Sequence, residues 1–335
     1  MKALKYFALI LTVVFTACST KTNYTINEEI LANLGAKYKA EFYDLAKYYE
    51  DQAIQFPDSI ENYLGIADSY ALLRLFGYVP EQDALPQMKQ AYAKAASIDS
   101  LNSNVVKLQG MLHFIDRQWL QAEQAFKKSI AINPKNLNAR HWYALWLSAM
   151  DRFNEAMAQS DTIMVHDRND KFLVSRASFF YFQYRFKEMK PLMQKDISEN
   201  PEVPWAYDWL AMAYNGLEQH DSSITTYLKA FELSDGTVEI GGGLGHALGD
   251  AGEIKLAKQM CDFYDQAAKD NYLPSEQRAF IHISIGEYDK ALDLLEQAYN
   301  ENSWFLNFMQ TEHWYDSIRK DARFIAIEEK MEFPE

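Results

Sequence analysis

The chain contains seven histidines, the side chains most often used for proton transfer and metal binding near neutral pH. They stand far apart, at His113, His141, His166, His220, His246, His282 and His313. No two of them have the spacing of HExxH, which would bring both rings to one helix face. We therefore expect no metal, no cofactor and no catalytic residue. We interpret His113 and His282 as side chains that pack between helices.

A glycine run at 241–245, with the sequence Gly-Gly-Gly-Leu-Gly, could in principle cradle a phosphate. A phosphate-binding loop follows a strand and continues with Gly-Lys-Ser/Thr, and this run has neither feature. We interpret it instead as part of a helix, with Gly245 at a position of close helix contact. Because each extra glycine costs a helix about 1 kcal/mol relative to alanine, a functional hinge is a second interpretation.

The two cysteines are Cys18 and Cys261. They stand in different parts of the chain, and Cys18 belongs to an N-terminal leader pattern, so the sequence predicts no intramolecular disulfide. Cys261 falls at a helix-packing position, which indicates a buried structural thiol. A reactive thiol is the alternative.

The first 17 residues have the pattern of a secretory signal peptide. Lys2 and Lys5 precede an apolar run over residues 6–15. That run is shorter than the roughly 20 residues that a transmembrane helix requires. We therefore predict a signal peptide over residues 1–17 and not a membrane-spanning helix.

Ala17-Cys18 resembles the cleavage site of bacterial lipoproteins, although Phe15 stands where that family usually has Leu. In the family this cysteine becomes the lipidated first residue of the mature protein. The resemblance implies lipidation at Cys18, a lipidated tether over residues 18–26, and an outer-membrane lipoprotein that faces the periplasm. An ordinary secreted protein with a free cysteine is the alternative.

The chain is acidic, with a formal net charge of −14. Proteins that bind nucleic acid or anionic lipid surfaces carry basic patches. We therefore expect no nucleic-acid partner, and membrane contact only through a lipid anchor.

Small residues recur about every 34 positions, in the ladder Gly110, Ala144, Ser178, Ala211, Gly245 and Ala279. A second ladder follows 12 or 13 residues later, at Ala122, Ala156, Lys190, Ser223, Ala257 and Ala291. A period of 34 is typical of the tetratricopeptide repeat, a stacked pair of antiparallel helices. The spacing predicts an all-α fold, an α-solenoid of about six to seven helical hairpins over residues 58–303.

Both ends of a solenoid need caps, because a terminal repeat cannot leave its apolar face in water. We predict N-terminal capping helices over residues 27–57. Gly77, Pro80 and Pro86 lengthen the first repeat, and because proline disfavours helix we place an insertion loop near residues 76–84.

The repeat period breaks after residue 303, and we predict C-terminal capping helices over residues 304–335. Asp316 and Asp321 can each cap a helix start, so that Ile318 and Phe324 fold over the last repeat. A basic functional patch is the alternative for this region, formed by Arg319, Lys320 and Arg323.

Three stretches resemble the repeat region of a bacterial regulator family, in which repeats follow a winged-helix, adenylate-cyclase or kinase domain. They are residues 119–126 (WLQAEQAF), Asn133-Pro134 and residues 141–144 (HWYA). The similarity covers roughly residues 45–330. The effector domain is missing and a lipoprotein signal stands in its place, so the resemblance implies neither catalysis nor DNA binding.

In tetratricopeptide repeats, the first helix (A) of each hairpin lines the concave face, with positions 2, 5, 9 and 12 pointing inward. The resemblance places thirteen partner-binding candidates there: Lys107, Met111, Phe114, His141, Leu145, Phe179, Phe182, Trp205, Asp208, Met212, Asn215, His246 and Phe280. This concave groove would be aromatic and apolar, which suits an extended or helical apolar peptide. The alternative for each aromatic residue is packing against the neighbouring repeat.

Together these patterns predict a non-enzymatic, lipid-anchored scaffold or adaptor that binds a protein or peptide partner at the bacterial cell envelope. Two alternatives remain open: a subunit of an outer-membrane assembly machine, and a sensor for a small ligand such as a sugar or peptide.

Overall fold

The computed structural model describes residues 23–167 and 170–334, so the predictions for the leader and for Cys18 lie outside the described residues. Within these ranges the chain is helical and has no β-strand. No described helix is both long enough and apolar enough to span a bilayer. The helices are α1 (Glu28–Asn33), α2 (Ala36–Gln55), α3 (Ile60–Leu75), α4 (Glu81–Asp99), α5 (Ser103–Ile115), α6 (Trp119–Ile132), α7 (Leu137–Ala149), α8 (Phe153–His166), α9 (Asp170–Tyr181), α10 (Phe186–Glu199), α11 (Pro204–Gly216), α12 (His220–Leu233), α13 (Val238–Asp250), α14 (Ile254–Ala267), α15 (Ser275–Ser284), α16 (Tyr288–Asn300) and α17 (Ala322–Lys330), with 3₁₀ helices at Trp304–Phe308 and His313–Tyr315 before α17.

Seven antiparallel hairpins, from α3–α4 to α15–α16, stack in chain order, which confirms the predicted α-solenoid. In each hairpin the odd-numbered helix is helix A and the even-numbered helix is helix B. All seven A–B turns contain one residue in the left-handed region, Gly77 in the first; the other six are again 33 or 34 residues apart: Arg117, Asp151, Tyr184, Glu218, Gly252 and Gly286.

The same hydrogen bond closes these six turns. The backbone N–H of the residue after the left-handed one donates to a carbonyl five residues earlier, as from Gln118 to His113 at 2.8 Å and from Glu253 to Leu248 at 2.8 Å. This is the Schellman arrangement that ends many helices. The A–B turns therefore lie together along one edge of the solenoid, which we call the A–B edge.

The two small-residue ladders lie where the helices touch. Ala144, Ala211 and Ala257 are completely buried. A Cβ added to Gly110 would lie 2.7 Å from the ring of Phe126. Small side chains are needed here because the helix backbones approach each other closely, as the sequence ladders predicted.

The predicted insertion loop at 76–84 is too long by four residues. Pro80 is the N-cap of α4, which begins at Glu81, and Pro86 lies inside that helix. Only one intrahelical bond is lost at Pro86. Burial of Ala84 and Met88 and the ion pair of Glu81 with Arg74 hold the first turns in place.

The N-terminal capping prediction needs a correction, because the two helices do different things. Helix α2 packs on α3 and caps the first repeat. Residues 24–34, which we call the strap, instead pack against the apolar cluster of α12, α13 and α14. The strap is held at both ends: the Tyr24 hydroxyl donates to Asp221 (2.5 Å), and the Asn33 amide donates to Asp235 (2.6 Å).

The glycine run at 241–245 lies in α13, whose residues are almost all buried. A Cβ at Gly243 would lie 2.6 Å from the Tyr227 hydroxyl, and one at Gly245 would lie 2.6 Å from the end of Ile281. Neighbouring side chains fill the space beside these glycines. Close packing therefore explains the run, and the hinge interpretation has no support from the geometry.

Helix α17 packs on α16, the last helix of the solenoid. The Asp321 side chain accepts a bond from the Arg323 N–H (2.8 Å), and Phe324 and Ile318 are buried. Asp316 does not cap a helix start; its carboxylate accepts from Arg319 (2.8 Å). The guanidinium of Arg323 likewise pairs with Asp293 and Glu296, so the basic-patch alternative is not supported.

Candidate protein-binding surface

The thirteen residues predicted to form the concave groove do not face open solvent. Nine of them are buried, among them Phe114 (0% exposed), Phe179 (1%) and Phe280 (2%), while Leu145, Trp205, Met212 and Asn215 are partly exposed. Most of the predicted concave positions are therefore covered by other parts of the chain. Partner binding at these positions stays a prediction.

Residues 304–315, which we call the plug, occupy the groove through aromatic contacts. The ring of Trp304 lies 4.9 Å from that of Phe114, and Phe308 stacks on Phe182 at 5.3 Å with only 3° between the planes. At the far end Trp314 stacks on His246 at 4.5 Å. The concave face thus holds an aromatic segment of the same chain.

Hydrogen bonds to main-chain carbonyls fix the C-terminal region in place. The Asn307 amide donates to the carbonyl of Phe114 (3.2 Å), and Asn302 donates to that of Ile115 (3.2 Å). The Trp119 indole donates to the carbonyl of Met331 (3.0 Å). The plug is therefore held by polar contacts as well as by ring packing.

Other predicted groove residues have partners within the repeats or the N-terminal region. Lys107 is 4% exposed and pairs with Asp68 at 3.1 Å. The Trp205 ring lies 4.6 Å from Phe76, which belongs to the segment between α3 and α4. Asp208 is buried, and that burial raises its pKa to about 7. In this part of the groove the predicted residues pack against neighbouring parts of the chain, which was the alternative stated for the aromatic residues.

The groove reaches the surface at one cleft of about 670 Å³ on the A–B edge. It lies between the A–B turns of two hairpins and the plug, and it is lined by Asp151, Phe153, Phe182, Gln183, Tyr184, Arg185, Gln310, Thr311, His313, Arg319 and Glu328. Tyr184 is 57% exposed. We call this opening the turn cleft. Phe182 is the residue that this cleft shares with the thirteen predicted groove positions.

The two arginines of the turn cleft bond groups that lie outside its lining. Arg185 donates to Glu188 (3.1 Å), and Arg319 donates to the carbonyl of Met309 (3.0 Å) as well as to Asp316. The Tyr184 hydroxyl donates to the same Asp316 (2.8 Å). Aromatic rings, amides and the carboxylates of Asp151 and Glu328 remain as the accessible chemistry, which suits a peptide segment without a large negative charge.

A second, more polar cleft of about 480 Å³ lies at the opposite ends of the helices. Four asparagines contribute to its lining, which consists of Asn104, Asn133, Lys135, Asn136, Leu137, Asn138, Asp167 and Phe172. Asn136 is 6% exposed and bonds Ser103 (2.7 Å) and Asn104 (2.8 Å), so its amide is used within the fold.

One cysteine–histidine pair resembles a nucleophilic arrangement, because Cys261 Sγ lies 3.8 Å from His282 Nδ1, which also lies 3.0 Å from Glu287. Both side chains are buried, and burial raises the pKa of the Cys261 thiol to about 12. A thiol that stays protonated is a poor nucleophile. The predictions of a buried structural thiol and of a packed His282 are confirmed.

Among the described residues no cluster of three or more His, Cys, Asp or Glu side chains is suited to hold a metal ion. Sequence reasoning missed the plug, although its composition was visible: Trp304, Phe305, Phe308 and Trp314 follow directly after the last repeat. Such a density of aromatic residues is unusual for an exposed capping helix and indicates burial.

No family model matches the chain. The chain is 24% identical over 101 residues to the transcriptional regulator HilA of Salmonella typhimurium and to that of Salmonella typhi. The match covers 30% of this chain and 18% of each regulator. The activity of those proteins does not follow from this match.

Solved structures give a broader likeness. A tetratricopeptide repeat protein from Parabacteroides merdae is 17% identical, with 81% of this chain and 98% of that chain covered and a TM-score of 0.45. The crystal structure of the APC/C hetero-tetramer Cut9-Hcn1 covers 87% of this chain and 52% of that chain, with a TM-score of 0.61 and 11% identity. The chain thus spans about half of that solved chain.

The Cut9-Hcn1 likeness covers 87% of this chain, and the 34-residue period with its Schellman turns runs from the second hairpin to the seventh. We conclude that this chain is a tetratricopeptide-repeat protein in its fold.

Proposed function

We propose that this protein is a non-enzymatic scaffold of the bacterial cell envelope, anchored by lipid at Cys18, that binds a protein partner through the turn cleft and the adjoining concave groove. The fold supports protein binding in general, since stacked helical hairpins present long concave surfaces. The leader pattern supports the anchor and, by resemblance, the outer membrane and a periplasmic face.

One observation carries the binding proposal: the groove already holds a polypeptide segment. The plug contacts it by stacked rings, as at Phe308 on Phe182, and by the Asn307 amide on a main-chain carbonyl. A surface that holds one aromatic segment in this way is suited to a second of similar chemistry at its open end. We therefore expect the partner to contribute an uncharged, aromatic segment.

The first experiment is gentle detergent extraction of membranes that carry the tagged full-length protein, followed by mass spectrometry of co-purifying proteins. We expect one envelope protein in near-stoichiometric amount. Replacing Tyr184 with Ala removes the exposed ring at the turn cleft and should lower recovery of that partner at least tenfold. Tyr48→Ala is the matched control, because Tyr48 is equally exposed (56%) but lies on α2.

If the Tyr184→Ala variant keeps the partner and the Tyr48→Ala variant loses it, binding lies at the N-terminal end. That result would overturn partner binding at the turn cleft. A solitary protein that is thermally stabilised by sugars or short peptides would favour the small-ligand sensor, because a ligand in hundredfold excess over its Kd adds about 2.7 kcal/mol of stability. Several partners retained by both variants would favour a subunit of an assembly machine.

A further inference from the structure

The strap determines where the N-terminal end of the described chain leaves the body. The Tyr24 hydroxyl bonds Asp221 in the first turn of α12, and Glu28 accepts from Gln259 of α14 at 3.4 Å. From there the strap runs beside the repeat to Asp235, just beyond the other end of α12. Tyr24 is thus held at the A–B edge of this repeat.

The chain between this point and Cys18 is short. Cys18 precedes Tyr24 by six residues, which span about 20 Å when fully extended. Helix α12 has 14 residues and is therefore itself about 20 Å long. An acyl chain on Cys18 consequently lies within easy reach of the A–B edge, whereas the opposite edge could approach the bilayer only with the linking residues stretched along the body.

We propose that the anchored protein stands with the A–B edge around α12 and α14 toward the membrane that holds its lipid, so that this edge is a membrane-contacting surface. This rests on the lipidation in the proposed function. The occupant is the bilayer surface, and the length of chain between Cys18 and Tyr24 is the argument for it.

The side chains at this edge are compatible with a lipid headgroup region. Ile254 and Tyr288 are 39% and 43% exposed, and each lies two residues after a left-handed turn position. Tyrosine is favoured where one end of a side chain is apolar and the other wet. Exposed Lys187 and Lys255 follow in the first turns of α10 and α14. Four carboxylates at the same edge, those of Glu218, Asp221, Asp250 and Glu253, outnumber these lysines, so the lipid supplies the affinity and the short link to Tyr24 sets the orientation.

The test uses two probe positions on one helix. Ser222 and Glu232 are both exposed on α12 and are separated by ten residues, or about 15 Å. Ser222→Cys and Glu232→Cys variants of the full-length, membrane-extracted protein are labelled with a thiol-reactive fluorophore. They are then reconstituted into phosphatidylethanolamine–phosphatidylglycerol vesicles that contain a headgroup-nitroxide lipid. The unsubstituted protein, treated in the same way, serves as the control for labelling of Cys261, which is 5% exposed.

We expect the nitroxide to quench the probe at position 222 at least threefold more strongly than the probe at position 232. The anchor is present if the protein partitions into detergent and its N-terminal peptide carries acyl mass. Equal or reversed quenching in such protein would overturn the proposed orientation but not the anchor. Protein without acyl mass that stays in the aqueous phase would overturn the anchor, and the orientation with it.

Discussion

Asp208 and Glu276 are carboxyl side chains that the fold buries almost completely, at 2% and 1% exposure. Burial raises the pKa of each to about 7, because the charged form loses its hydration. A carboxyl group in the unfolded chain has a pKa near 4. The folded state therefore holds these protons more tightly, and stability falls as the pH rises from about 4 through 7.

Asp208→Asn removes this ionisation and should raise the free energy of unfolding at pH 8 by about 2 kcal/mol. At pH 5 the gain should be less than half as large, because wild-type Asp208 is then protonated. Urea unfolding at both pH values measures the difference. Exposed Asp289→Asn is the control. An equal gain for Asp208→Asn at pH 5 and pH 8 would point to packing and not to ionisation.

At the scale of elements, the A–B turns show how one backbone requirement is met by different residues. The left-handed position is glycine in two turns, Gly252 and Gly286, but Glu218 occupies it with φ 58°. An L-residue pays about 1–2 kcal/mol there, and glycine loses about 0.5–1 kcal/mol through its freedom in the unfolded chain. The residue is therefore locally strained although its side chain is exposed.

Glu218→Gly should stabilise the protein by about 0.5 kcal/mol, since relief of the strained φ outweighs the added entropy of the unfolded chain. Lys128→Gly, at an exposed position inside α6, should destabilise it by about 1 kcal/mol. Chemical denaturation of both variants gives the comparison. Destabilisation by Glu218→Gly would mean that the side chain makes a contact that outweighs the strain.

The plug is the element that decides whether the groove is a permanent part of the core. Phe308 is 6% exposed and stacks on Phe182, whereas neighbouring Phe305 is only partly buried. Phe308→Ala should cost about 3–4 kcal/mol, as expected for a buried aromatic ring, and Phe305→Ala clearly less. Thermal unfolding measures both. A loss below 1 kcal/mol for Phe308→Ala would mean that the plug leaves the groove at little cost.

At the scale of the whole molecule, both ends of the described part of the chain return to distant repeats. Tyr24 bonds Asp221, and the Trp119 indole bonds Met331. Open repeat arrays unfold from their ends, because each repeat contacts only its neighbours. These long-range contacts should instead make unfolding of this chain a single cooperative transition.

Gly236→Ala tests that closure. Gly236 and Gly252 both have φ 77°, but a Cβ at Gly236 would clash with the carbonyl of Ile30 in the strap, and one at Gly252 would meet nothing within 4 Å. Gly236→Ala should therefore cost about 1–2 kcal/mol more than Gly252→Ala. It should also speed amide hydrogen exchange over residues 24–34. Equal costs and unchanged exchange would show that the strap does not depend on this contact.

The sequence alone determined the hairpin stack, because the features that specify it are local. Small residues such as Gly110 and Ala144 recur with the period, and Gly252 and Gly286 mark two of the A–B turns in the sequence itself. Burial of Cys261 followed from the same register, and that of Phe324 from the helix cap at Asp321. These features depend on contacts within one repeat or between neighbours, which a 34-residue period encodes.

Tertiary structure decided what fills the groove and where the N-terminal strap lies. Tyr24 and Asp221 are 197 residues apart, and Trp119 and Met331 are 212 apart. Such pairs meet only because the curvature of the stacked repeats brings distant helices together, and no local period records that curvature. For the same reason the inward-facing positions could be read from the period, while their occupation by residues 304–315 could not.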